Sequence, residues 1–191
     1  MEEKIHVLLV EDDIDFAFLI KKLIKKDKRL EYVGHAQDKV IGMELAIELK
    51  PDIVLMDLNL SGSELDGIGA AKEIKLATAA KVLLLTSFEQ PDIIISASKK
   101  AFASGYVYKS QCQALADTIY KTATSITPQE LFIKELIINE LTTAEQGVVK
   151  DMAEGVISVS SFSTIANQKT SIFKKLGIKS TDELVKLIKN W

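Results

Sequence analysis

The chain has 191 residues, 47% of them hydrophobic, and a net charge of −3 from 27 acidic and 24 basic side chains. This length suits one domain of ordinary size plus a small second one, and the slight acidity excludes a globally basic nucleic-acid binder, so any basic surface must be local. Cys112 is the only cysteine, which excludes an internal disulfide and suits a reducing compartment. The acidic start Met1-Glu2-Glu3-Lys4 is no signal peptide, and no apolar run approaches the ~20 residues of a membrane span, so a cytoplasmic protein without a membrane partner is expected.

In chain order, the apolar runs Ile5–Val10, Ile53–Met56, Val82–Leu85 and Tyr106–Tyr108 predict strands, and a further strand ends at His35. Phe16, Leu19, Ile20, Leu23 and Ile24 recur at helical spacing, with Lys21, Lys22, Lys25 and Lys26 on a solvated face. Segments 38–49, 66–77, 92–103 and 112–123 complete an alternating β-α order, which implies a parallel sheet with right-handed crossovers. His6 and His35 have no metal-ligand company and read as structural. Near residue 124 the alternation gives way to helix after helix. Thr127 caps and Pro128 opens one that runs to about Asn139. Thr142 and Glu145 form a capping box for another, ending at Gly155. Two more follow, over Thr164–Leu176 and Thr181–Lys189.

Asp12, Asp13, Asp57, Thr86 and Lys109 each stand just past an apolar run. In a parallel sheet all five reach the carboxyl edge, where open α/β sheets place their ligand sites. Three carboxylates, a hydroxyl and an ammonium there suit phosphoryl acceptance assisted by Mg²⁺, which takes carboxylate, water and phosphate oxygens. Asp12, Asp13 and Asp57 are expected to hold the metal, with Asp57 also the carboxylate nucleophile. Thr86 and Lys109 would pair with phosphoryl oxygens. No strong general base is required, because phosphoryl transfer depends mainly on positioning and charge neutralisation.

The stretches Val7-Leu8-Leu9-Val10-Glu11-Asp12-Asp13, Pro51–Leu58, Leu85-Thr86-Ser87 and Ala103–Lys109 closely resemble the receiver domain of two-component response regulators. The resemblance covers about the first 124 residues and implies a five-stranded doubly wound, flavodoxin-like fold that takes a phosphoryl group from a sensor histidine kinase. It implies Asp57 as phosphoacceptor, Asp12 and Asp13 as the acidic metal pair, and Asn59 as a backbone-carbonyl metal ligand. Thr86 and Tyr106 fall on the switch hydroxyl and aromatic, Lys109 on the phosphate-pairing lysine. The chain departs from the pattern at Leu60-Ser61 in place of Met-Pro, at Gly67 two residues later than usual, at Phe102 in place of Gly, and at Ser110 in place of Pro. These bear on kinase recognition and on the face that rearranges, and leave the acidic pocket intact.

The tail resembles the LuxR-type (NarL/FixJ) helix-turn-helix output domain. Leu141-Thr142-x-x-Glu145 with Met152-Ala153-Glu154-Gly155, and Thr164-Ile165-Ala166-Asn167-Gln168 leading to Ile172 and Lys175-Leu176-Gly177-Ile178, carry that likeness. It implies that 164–176 is a recognition helix in the DNA major groove. Thr164, Ala166, Asn167, Gln168, Lys169, Ser171, Lys174 and Lys175 would face DNA, the asparagine and glutamine reading adenine and the lysines phosphate, with Lys179 nearby. Only eight residues, Val156–Ser163, separate Gly155 from Thr164. They are poor helix material, so a loop or single turn is expected there and a shortened small all-α domain. Lys169 occupies a position where the family has an inward apolar residue. The tail from 156 carries six lysines against Asp182 and Glu183 and no arginine, a modest basic footprint.

The expected organisation is a receiver at 1–124, a linker and connecting helix at 125–140, and a shortened output domain at 141–191. The expected function is a phosphorylation-controlled transcription regulator that binds promoter DNA, dimerises on activation, and has at most slow self-dephosphorylation as an activity of its own. The alternative is a regulator whose output domain serves dimerisation or protein contacts instead of reading DNA. An independent hydrolase is disfavoured. Asn59 stands where a haloacid-type phosphatase needs Asp, and Ile68 stands where the glycine spacing of Gly62–Gly67 would need Lys for a P-loop.

Overall fold

The apolar run Ile53–Met56 becomes a strand with no face turned to water: every residue of β3 (Ile53–Asp57) is buried, as a strand covered by helices on both sides requires. The computed structural model describes residues 3–60, 65–156 and 162–189. The chain divides into two compact units, Met1–Ile133 and Lys134–Trp191. In the first, β1 (Ile5–Val10), α1 (Ile14–Lys26), β2 (Leu30–Ala36), α2 (Lys39–Leu49), β3, α3 (Asp66–Ala77), β4 (Lys81–Thr86), α4 (Pro91–Ala101), β5 (Gly105–Tyr108) and α5 (Leu115–Thr124) alternate. All pairings are parallel, in the order β2-β1-β3-β4-β5. This is the doubly wound sheet expected, with its strand order reversing at β1 and β3.

Strand alternation builds two cores. Leu8, Val10, Val54, Met56, Val82 and Leu84 pack against Ala46, Ala71, Ile74 and Ala97 of α2, α3 and α4. Val7, Leu9, Ile53, Leu55, Leu83 and Leu85 pack on the other face against Ile20, Ile24, Leu115 and Ile119 of α1 and α5. Helix starts follow their caps: Asp38 Oδ1 accepts from Val40 N at 2.8 Å and Ile41 N at 2.9 Å to open α2. The helix expected over 112–123 is preceded by a 3-10 turn at Lys109–Ala114, with Gln111 non-helical at φ −115°, because the chain turns away from the strand end before α5 can begin. Phe102, at the position noted for a missing glycine, closes α4 in the left-handed region at φ 52°. Its buried ring lies 5.1 Å beneath Lys72 Nζ.

α6 (Pro128–Ile138), α7 (Thr143–Glu154), α8 (Phe162–Leu176) and α9 (Thr181–Lys189) follow. Thr142 N donates to Glu145 at 2.7 Å and Glu145 N to Thr142 Oγ1 at 3.4 Å, the reciprocal capping box, and Gly155 stops α7 at φ 67°. The second unit buries Ile137, Leu141, Val148, Val149, Ile172, Leu176, Leu184 and Leu187. Val156 is not helical and α8 starts at Phe162; the rest of the expected loop, 157–161, lies outside the described residues, as do Ser61–Glu64.

Candidate functional site

The carboxyl edge of the sheet gathers the charged groups. Asp57 ends β3 and is buried; Lys109 follows β5 and puts Nζ 3.1 Å from Asp57 Oδ2. The same ammonium lies 2.7 Å from Glu11 Oε2 and 4.6 Å from the centre of the Phe16 ring. Glu11 follows β1, its N–H donating to Ala36 O at 2.9 Å and its carbonyl meeting His35 Nε2 at 2.8 Å. Oxygens of Glu11, Asp12 and Asp57 lie within 4.8 Å of one another, Asp12 being the more open to solvent.

This corrects the expected acid pair. Asp13 is not in the cluster; its Oδ1 accepts from Asp15 N at 2.9 Å and Phe16 N at 3.0 Å, making it the N-cap of α1. Glu11 takes its place. The signal was present in the sequence: an acid three residues before Phe16, at the mouth of a periodic helix, is a cap candidate. Giving Asp13 that role moves the pair back by one residue, onto Glu11 and Asp12.

Electrostatically the pocket holds three carboxylates and one ammonium. Burial, aided by the neighbouring Asp57 charge, pushes the Glu11 carboxyl up to about 7 against the opposing pull of Lys109. Burial disfavours the Lys109 ammonium, but its hydrogen bond to Glu11 and the charges of Asp57 and Glu11 outweigh this and hold it above its ordinary value. A carboxylate excess over one cation, all of it oxygen donors, fits a hard divalent ion of the Mg²⁺ type. Asn59, two residues past Asp57, is exposed and accepts from Leu65 N on its side chain at 3.4 Å.

Behind the acids, Thr86 is fully buried at the end of β4 and accepts from Phe88 N at 2.9 Å. The ladder pairs Thr86 with Tyr108 and Leu84 with Tyr106, so both tyrosines share the face of Thr86. The half-buried Tyr106 ring meets Tyr108 edge-to-face, with centroids 5.7 Å apart. Gly67 opens α3 so close to the site that a Cβ there would lie 1.9 Å from the Asp57 carbonyl oxygen; its N–H donates to Leu58 O at 3.1 Å.

In the second unit, Thr164, Ala166, Asn167 and Lys174 of α8 are exposed, as is Thr170, which the sequence reading omitted. Gln168, Lys169 and Ser171 are half-buried, on the flank of the stripe that buries Ile172 and Leu176. Lys175, expected at DNA phosphate, pairs with the buried Glu145 carboxylate at 2.6 Å, because α8 packs on α7. Burial opposes ionisation of Glu145, but hydrogen bonds from Lys175, Ser171 and Thr142 pull it down to about 2.

A family model described as the response regulator receiver domain matches residues 7–120. The chain is 27% identical to the transcriptional regulatory protein YdfI of Bacillus subtilis, over 94% of this chain and 92% of that one. It is 33% identical to the transcriptional regulatory protein LiaR of the same organism, over 60% of this chain and 54% of that one. Among solved structures, a two-component response regulator of the LuxR family from Aurantimonas sp. aligns with TM-score 0.55 and 29% identity, over 72% of this chain and 98% of that one. RcsB from Salmonella enterica serovar Typhimurium, bound to promoter rprA, aligns over 98% and 99% with TM-score 0.58; at 22% identity this bears on fold alone. No described helix is long and apolar enough to cross a membrane.

Proposed function

The chain belongs to the response regulator receiver domain family, and we propose that it is a phosphorylation-controlled transcription regulator. Residues 1–124 are read as the receiver, 125–140 as linker and connecting helix, and 141–191 as the output domain. The observation that carries this reading is the convergence of Glu11, Asp12 and Asp57 around one end of the sheet with Lys109 across it.

An Asp57 carboxylate oxygen attacks the phosphorus of a phosphohistidine on a sensor kinase; the P–O bond forms, the P–N bond breaks, and the imidazole leaves. Glu11, Asp12 and Asp57, with the Asn59 carbonyl, would hold Mg²⁺, which when bound neutralises phosphoryl oxygen charge. Lys109 exchanges part of its pairing with Glu11 for a phosphoryl oxygen. Thr86 donates to another, and its shift leaves room for Tyr106 to turn inward, changing the face made by α4, β5 and α5. Slow water attack on the acyl phosphate resets the switch.

The output reading is promoter binding by α8 through Asn167, Ala166 and Lys174, as a dimer formed on activation, supported by relatives that are named transcriptional regulators. The second reading, a module for dimerisation or protein contacts, is favoured by one observation: Lys175 is engaged inside the unit, which thins the basic face. The test is Mg²⁺-dependent labelling by a small-molecule phosphodonor, followed by mobility shift on genomic fragments. Wild type should label and retard specific fragments; Asp57→Asn should do neither step that depends on the acyl phosphate. Labelling without DNA retardation would leave the interaction module as the function.

A further inference from the structure

β5 is the outer strand of the sheet beside β4. An edge strand presents backbone N–H groups with no neighbouring strand to accept them. Here the Tyr106 N–H is taken up by a side chain from outside the sheet, Gln129 Oε1 on the first turn of α6, at 3.2 Å. Gly105 makes this approach possible, since a Cβ at 105 would lie 2.6 Å from the same oxygen. The segment leading to Gln129 is anchored on both sides. Lys81 Nζ, at the first residue of β4, reaches Ser125 O at 3.2 Å and Glu130 Oε2 at 3.0 Å. Thr127 Oγ1 accepts from Glu130 N at 3.2 Å, capping the helix. Glu130 is itself buried, near the buried Lys75 of α3, whose charge it favours. Between these anchors, Tyr106, Tyr108, Thr127, Pro128 and Gln129 border a groove of about 430 Å³.

We propose that residues 125–130 are a strap across the edge of β5, in which Gln129 is a positioning residue that holds the Tyr106 backbone where it stands without a phosphoryl group. The proposal rests on the reading of Asp57 and Tyr106 given above and deepens it. Tyr106 has its N–H tied to the strap and its ring on the face of Thr86, so movement of one end of this residue is felt at the other. Docking of the strap and phosphorylation of Asp57 are then linked in both directions: what loosens the strap favours the phosphorylated state, and phosphorylation loosens the strap. α6 carries the chain out of the first unit, so the element released is the one that leads to the output domain.

The test measures beryllofluoride binding to the full chain in Mg²⁺, with the Tyr106 amide followed by hydrogen exchange. Gln129→Ala, and separately Gly105→Ala, should bind beryllofluoride about three- to tenfold more tightly than wild type, the range one net hydrogen bond spans. Gln129→Glu retains an acceptor oxygen and should stay near wild type. Beryllofluoride should speed exchange at Tyr106 in the wild type. Unchanged or weaker binding by Gln129→Ala, with Tyr106 exchange indifferent to beryllofluoride, overturns the strap while leaving the Asp57 site standing if Asp57→Asn abolishes binding. A wild type that binds no beryllofluoride in Mg²⁺ removes both.

Discussion

Lys109 and Glu11, 98 residues apart in sequence, form an ion pair of 2.7 Å in which the carboxylate is wholly buried. The same ammonium lies 3.1 Å from Asp57 Oδ2. It fixes which acid faces the pocket, and so makes the roles of neighbouring acids separable by experiment.

Glu11→Gln should weaken Mg²⁺ binding about tenfold or more, as loss of one charged oxygen ligand from a three-carboxylate set implies. Asp13→Ala should leave Mg²⁺ affinity unchanged and lower stability by about 1 kcal/mol through loss of the α1 cap. Calorimetric Mg²⁺ titration and urea unfolding of both variants decide this. A large affinity loss in Asp13→Ala alone would return Asp13 to the metal set.

Gly67→Ala should destabilise by about 1–3 kcal/mol, because a methyl group 1.9 Å from the Asp57 carbonyl forces the backbone of Asp57 or of α3 to move. Phosphodonor labelling should slow with it. Gly69, in the same helix, has nothing within 4 Å of its added Cβ. Gly69→Ala should therefore stabilise by roughly 0.5–1 kcal/mol and label normally. Equal behaviour of the two variants would show that the close approach is not what Gly67 is for.

Lys75 is buried, and burial lowers its ammonium from 10.5 to about 8. The folded value is below the unfolded one, so between about 8 and 10.5 the unfolded chain binds more protons and stability rises with pH. The group contributes on the order of 3 kcal/mol to that rise. Lys75→Met should flatten the wild-type increase across this window in denaturant unfolding. A parallel pH profile in the two proteins would place the proton elsewhere.

In the second unit, Lys175→Ala should destabilise by about 1–3 kcal/mol, less than for a fully enclosed pair because Lys175 is a third exposed. Its partner Glu145 has a lowered folded value, about 2, so the pair's stabilisation is present above about 4.5 and lost as pH falls toward 2. Lys174→Ala should change stability by less than about 0.5 kcal/mol. If α8 binds DNA, that variant should also lower the salt dependence by about one counterion. Thermal and urea unfolding at pH 7 and pH 3, with salt-dependent mobility shifts, separate the two lysines.

The order of strands and helices, the caps at Thr127 and Thr142, the stop at Gly155 and the meeting of Asp57 with Lys109 were readable from sequence alone. Each rests on a short-range pattern: an apolar period, a capping residue, or a polar residue just past a strand whose direction the alternation dictates. The tertiary structure decided what distance in sequence conceals. That Glu11 faces Lys109, 98 residues away, is supplied only by packing, whereas the Asp13 cap on Phe16 N is a local signal. Lys175, which reads as a phosphate contact, is drawn to Glu145, 30 residues away, because α8 packs on α7. Gln129 has no sequence signal at all; its role exists only because β5 is the strand left at the edge and Gly105 leaves room beside it. Local patterns specify elements, whereas the partner of a charge or a free N–H is settled by which elements the packed core brings side by side.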